Sequence, residues 1–139
     1  MAILWPRLLL LAGLTFGTPA HAATLYDDLG AHDGVVQLVD AVTVLWLADP
    51  KVGPTFADTN IPRFKRLLVD QLCQLSGGDC AYRGQTMQAA HKGLGLHVVQ
   101  FNALVEDLQA AMRGRGIPFA TQNRLLALLA PMERDVVTK

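Results

Sequence analysis

From Asp33 onward the apolar residues Val35, Val39, Val42, Leu45 and Trp46 return every three or four positions, the period of a helix with one buried face. The run "VVQLVDAV" is the one serious strand competitor, because its β-branched residues lower helix propensity. Asp49-Pro50 closes this segment, and "KVGPTFADTN" after it reads as a corner or tight helical turn whose one large apolar residue is Phe56. Thr59 or Asn60 can cap the next helix and Pro62 suits its first turn, ahead of a stripe of Phe64, Leu67, Leu68, Leu72 and Leu75. Gly77-Gly78 ends it. The stretch from Asp79 to Thr86 reads as a loop, and Met87 to His91 as a short helical piece that Gly93 and Gly95 stop from continuing.

A longer helix resumes from Leu96, with Val98, Phe101, Leu104, Val105, Leu108 and Met112 on one face and "RGRG" at its end. The last helix opens near Thr121, carries Leu125, Leu126, Leu128, Leu129, Met132 and Val136, and should bend at Pro131. No alternating run competes with these periods, so the pattern predicts an all-α fold of four main helices around an irregular middle. Repeats and low-complexity tracts are absent from the sequence.

The first residues stand apart from this pattern. A single charge at Arg7, an apolar run from Leu8 to Phe16 too short to span a bilayer, and Ala20-His21-Ala22 form the pattern of a secretory signal cleaved after Ala22. Residues 1–22 are therefore expected to be a signal peptide and residues 23–139 one mature domain. That domain has about 117 residues, within the usual size of a single core. The expected location is outside the cytoplasm, in the periplasm, with no membrane attachment once the signal is removed. Twelve basic residues balance twelve acidic ones without a long basic run, so nucleic acid and anionic membrane surfaces have no electrostatic footprint.

Chemistry is sparse. Asp27-Asp28 and Glu106-Asp107 do not make the paired carboxylates of a hydrolase. The two cysteines, Cys73 and Cys80, lack the close pairing of a structural zinc site, and nothing around Cys73 supplies a base for a nucleophile. In an oxidising compartment they can form a disulfide; the sequence leaves that bridge and two free thiols both open. In "AAHKGLGLH", His91 and His97 would sit about 240° apart on a helix, so they are not a two-histidine metal face. One histidine alone can serve as an axial ligand to haem iron, and the alternative is an ordinary hydrogen-bonded histidine. Phe56, Phe64, Leu68, Gln71, Leu72, Phe101 and Val105 offer either the walls of a porphyrin slot or a plain core.

The blocks "LYDDLGAHDGV", "LADPKVGPTF", "NIPRFKRLLVDQLCQLSGGDCAYRG", "MQAAHKGLGL", "FNALVEDL" and "IPFATQNRLLALLAPMERDV" follow one another in an order that resembles the group I truncated haemoglobins, particularly an exported subset. The resemblance covers nearly the whole mature chain. It implies a globin-like two-over-two helical sandwich that holds haem b, with His91 as the iron ligand and His97 outside the ligand set. It also implies haem contacts from Phe56, Phe64, Leu68, Leu72, Met87, Leu96 and Phe101, and a distal pocket formed by Thr43, Phe64 and Leu68 with Gln71 as a further donor. The chain departs from the family at Thr43, where many members have tyrosine, and at Leu68, where many have glutamine. Hydrogen bonding to a gas then falls to the shorter Thr43 hydroxyl or to Gln71, if Gln71 turns inward.

The implied function is reversible binding, storage or sensing of oxygen, nitric oxide or carbon monoxide by a monomer, served if necessary by a separate reductase. The alternatives are a haem enzyme, such as a nitric oxide dioxygenase or weak peroxidase, and a haem-free helical interaction module.

Overall fold

The computed structural model describes residues 21–139. The segment expected to be a signal lies outside them apart from its last two residues. The described chain is helical, with no strand. Its α-helices are α1 (Leu25–Asp28), α2 (Ala31–Ala48), α3 (Ile61–Leu75), α4 (Met87–His91), α5 (Val98–Gly114), α6 (Phe119–Leu129) and α7 (Glu133–Val136).

Helix α1 comes from a local signal. Thr24 Oγ1 accepts the Asp27 N–H at 3.1 Å, and Asp27 Oδ2 accepts the Thr24 N–H at 2.9 Å, a reciprocal cap. The Thr24 N–H, and the Thr24 hydroxyl at 2.8 Å, donate to Asp27 Oδ2 and hold that carboxyl below its ordinary value. The corner into α2 requires glycine at position 34, because a Cβ there would collide with the Leu29 carbonyl.

The competing strand reading of "VVQLVDAV" loses to burial. Within α2, Val35, Leu38, Val39 and Val42 are fully enclosed, and the helix packs on both α3 and α5. Placing that stripe on one side demands the 3.6-residue period, and tertiary packing outweighs the modest propensity penalty. Length and composition alone would let α2 cross a membrane, but its buried stripe makes it the core helix of a folded domain.

Asp49 ends α2, and its Oδ1 accepts the Lys51 N–H at 2.6 Å to start the corner, where Gly53–Phe56 forms a 3-10 turn. Asn60, one of the two expected caps, starts α3 by accepting the Arg63 N–H at 3.0 Å. Helix α6 begins two residues before Thr121. The Pro118 carbonyl accepts the Gln122 N–H, and Gln122 turns inward to donate to the Ile117 carbonyl at 2.8 Å. Pro131 has no N–H to continue α6, which passes through a 3-10 turn at Ala130–Met132 before α7 resumes.

The open question about the cysteines is decided in favour of a bridge. Cys73, fully buried near the end of α3, is joined to Cys80 with their Cα atoms 5.9 Å apart. Seven positions separate them, and the chain-entropy account assigns such a short closed loop about 2–3 kcal/mol of stabilisation. Urea unfolding with and without a thiol reductant should show that difference; coincident curves would remove the bridge from the stability of the fold.

One polar group in the core region lacks a partner among the described residues: Asp107 Oδ2 on α5 is enclosed and accepts no hydrogen bond. Burial pushes this carboxyl up; Asp49 and Glu106 add to the shift, and Lys51 opposes it. The folded chain then keeps this proton to higher pH than the unfolded chain. Stability should fall as pH rises from about 4 through the raised value, and stay lower beyond it. Asp107→Asn is therefore expected to raise Tm at neutral pH and to match the parent at the acid end. Equal melting temperatures at neutral pH would contradict the assignment.

Candidate functional site

The corner, α3 and α4 face the inner side of α5 across a cavity of about 550 Å³, within the range of roughly 300–1,000 Å³ usual for ligand pockets. Helical spacing on α3 brings Phe64, Leu67, Leu68, Gln71 and Leu72 to one wall. Met87, Ala90 and His91 come from α4, and Phe101, Leu104 and Leu108 from α5. Val42 and Trp46 of α2 reach it as well, and α7 adds Val136.

An aromatic cluster sets the corner. The Trp46 indole N–H donates to the Leu104 carbonyl at 3.0 Å, fixing the ring between α2 and α5. Phe56 stacks on it with ring centroids 6.3 Å apart and planes 9° apart. Phe64 meets Phe56 edge-on at 5.1 Å and Trp46 at 6.2 Å. A side chain from the corner and one from α3 are thereby held against the same part of the cavity.

His91 sits on a helix of only five residues, started by Thr86, whose hydroxyl oxygen accepts the Ala89 N–H at 3.1 Å. Its Nδ1 lies 2.7 Å from the Met87 carbonyl oxygen. A carbonyl can only accept, so Nδ1 carries a proton, and the nitrogen left to donate a lone pair to a metal is Nε2. Gly93 at φ +82° and Gly95 at φ +63° then turn the backbone away from the helical course in a conformation that suits glycine. His97 takes no part in the lining; it stands at the start of α5, where Gln100 Oε1 accepts its backbone N–H at 2.9 Å.

The structure brings Phe56, Phe64, Leu68, Gln71, Leu72, Met87, His91, Leu96 and Phe101 together around this one cavity. Thr43 is the exception. It is buried but outside the lining, with its hydroxyl donating to the Val39 carbonyl at 2.6 Å one turn back, so the expected distal donor is satisfied within its own helix. Its helical neighbours Val42 and Trp46 face the cavity instead.

Gln71 does turn inward. Its amide nitrogen contacts Met87 Sδ at 3.4 Å, a weak acceptor that leaves the amide readily available. The cavity also has a polar edge that pattern reading missed, with Arg63, Asn60, Tyr82 and Gln85. Tyr82 belongs to the loop beyond the disulfide; its backbone N–H donates to Gln74 Oε1 at 3.1 Å and its hydroxyl to the Gln85 carbonyl at 2.6 Å. Burial pushes its phenol up, against a smaller opposing effect of Arg63.

These residues suit a large, flat, apolar group carrying a metal that accepts one imidazole nitrogen. The donor is oriented, the walls are aromatic and aliphatic, and the polar side chains collect at one edge. A zinc cage is not supported, since no group of three or more histidine, cysteine or acidic side chains is placed to hold a metal ion among the described residues.

Comparison with known proteins points the same way. The family model for bacterial-like globins matches residues 24–138. The chain is 29% identical to the group 1 truncated hemoglobin GlbN of Mycolicibacterium paratuberculosis over 119 residues, covering 86% of this chain and 88% of that one. It is 33% identical to the Synechocystis sp. group 1 truncated hemoglobin GlbN over 100 residues, 69% of this chain and 81% of the relative. Among solved structures, the truncated hemoglobin from Tetrahymena pyriformis in its Fe(III) form superimposes with a TM-score of 0.81 at 29% identity, covering 84% of this chain and all of that one. The 2/2 hemoglobin from Synechococcus sp., solved in the cyanomet state with covalently attached heme, gives 0.79 at 25% identity with the same coverage. Sequence match, helix arrangement and cavity agree: this chain belongs to the bacterial-like globins, as a group I truncated hemoglobin of the 2/2 helical fold.

Proposed function

We propose that this globin holds haem b through His91 Nε2 and binds a diatomic gas, oxygen or nitric oxide, for storage, transport or sensing. Membership of the globin family supports haem and gas binding in general. The observation that carries the specific assignment is the 2.7 Å contact between His91 Nδ1 and the Met87 carbonyl, which fixes the tautomer and leaves Nε2 as the free donor in the cavity lining. Haem, when bound, would supply an iron able to take a gas reversibly.

The residues around it exclude water and choose the ligand. Phe56, Phe64, Leu68 and Phe101 make the walls apolar, and exclusion of water strengthens any remaining dipole in the pocket. Of the α2 and α3 side chains in the lining that carry N–H donors, Trp46 is committed to Leu104, while Arg63 and Gln71 remain. Gln71 is the uncharged one, on the helix face of Leu68, and is the donor to the gas in this reading. The lining contains no second histidine, and its one carboxylate, Asp58, is exposed. A distal acid–base pair for peroxide chemistry is thus missing from the described lining, which favours gas binding over a weak peroxidase. The periplasm is the location this proposal assigns to the mature protein; the signal pattern of residues 1–22 and a disulfide of the kind that persists in oxidising compartments support it.

Absorption spectra of the ferric, ferrous and carbon monoxide forms test the assignment. The parent should show a Soret band in each state, and His91→Ala should lose or shift it; identical spectra in the two proteins would move the ligand elsewhere. Gln71→Leu should release oxygen roughly five- to tenfold faster, the effect of about 1 kcal/mol from one hydrogen bond, with carbon monoxide release changed much less. Equal oxygen rates would remove Gln71 from the pocket's chemistry.

A further inference from the structure

The short helix carrying His91 depends on contacts from outside itself. Five residues are far below the length at which a helix is stable alone. The Lys92–Leu94 segment after it is exposed and makes one backbone hydrogen bond of its own, Leu94 N–H to the His91 carbonyl at 3.2 Å. Its next fixed point is Leu96, which is 8% exposed and lines the cavity.

What fixes Leu96 is the segment after α7. Thr138 Oγ1 accepts the Leu96 N–H at 3.1 Å, while the N–H groups of Thr138 and Lys139 both donate to the Leu96 carbonyl, at 2.9 and 3.1 Å. Both backbone groups of one half-loop residue are therefore satisfied by a segment forty-two positions away. The Lys139 side chain also fills the space beside Gly95, where a Cβ would stand 3.2 Å from its Cε. Helix α7 packs on α4 from the same side.

We infer that Thr138 is a positioning residue for His91: its hydroxyl closes the strap that ties the far end of the proximal segment to the domain and so sets how firmly the imidazole is presented to the cavity. This rests on the reading of His91 as the iron ligand. Thr138 is exposed and outside the cavity lining, so its substitution leaves the core intact. Replacing the hydroxyl by a methyl removes the partner of the Leu96 N–H. That N–H lies in a half-buried setting, where an unmet donor is costly.

The test compares the parent, Thr138→Val and Thr138→Ser. Two quantities are measured: amide exchange at Leu94 and Leu96 in haem-free protein, and transfer of haemin from loaded protein to an excess of a haem-scavenging apoprotein. Thr138→Val should exchange the Leu96 amide and lose haemin about tenfold faster, with the unfolding midpoint lowered by no more than the loss of that one hydrogen bond, and Thr138→Ser should restore both. Parent-like exchange and transfer in Thr138→Val would overturn the inference, as would an acceleration of exchange shared equally by the core amides of α2. If the parent binds no haemin the haem reading itself fails, and the exchange of Leu96 in haem-free protein still decides the role of Thr138.

Discussion

Everything in this molecule is arranged around the burial of one helix. The fully enclosed stripe of Val35, Leu38, Val39 and Val42 obliges α2 to be covered on two sides, and α3 and α5 are the covers. Each of those valines or leucines is worth roughly 1.5–3 kcal/mol when removed from water, so no rival arrangement that exposes the stripe competes. With α3 and α5 both tied to α2, their remaining apolar faces look toward a shared space. That space is the cavity of the candidate site, and Val42 and Trp46 are the points at which the core helix itself reaches it.

The cavity's two sides are built to different standards of rigidity. The α3 side is a fifteen-residue helix capped by Asn60, locked to the core through Leu72 and Cys73 and cross-linked to the next loop by the disulfide. The His91 side is one short turn between a Thr86 cap and a pair of glycines, held by contacts made with α7 and the segment after it. A rigid wall suits the exclusion of water and the placement of aromatic rings. A short segment with glycines behind it frees His91 from the register of a long helix. Its cost is dependence on distant hydrogen bonds.

Much of this was legible in advance because it is local or periodic. The stripes of α2, α3, α5 and α6 could be read from spacing, as could the glycine break after His91 and the bend at Pro131. Helix α1 went unread although Thr24-x-x-Asp27 is a recognisable reciprocal cap, because four residues carry no period. Thr43 was placed on the distal wall by resemblance, and the structure turns its hydroxyl onto the Val39 carbonyl. A threonine hydroxyl lies within reach of the carbonyl one turn earlier, and that bond is available before any ligand arrives.

By itself, then, the sequence determined the all-helical class, the order of the main helices and the glycine break that follows His91. These follow from hydrophobic period, caps and glycines, which act over a few residues. Only the tertiary structure decided which side chains share the cavity, that Gln71 points inward while Thr43 does not, that Tyr82 closes the edge, and that Thr138 holds Leu96. Those outcomes depend on hydrogen bonds and contacts between residues far apart in the chain, whose partners exist only once α2 has been buried and the helices around it have taken their places.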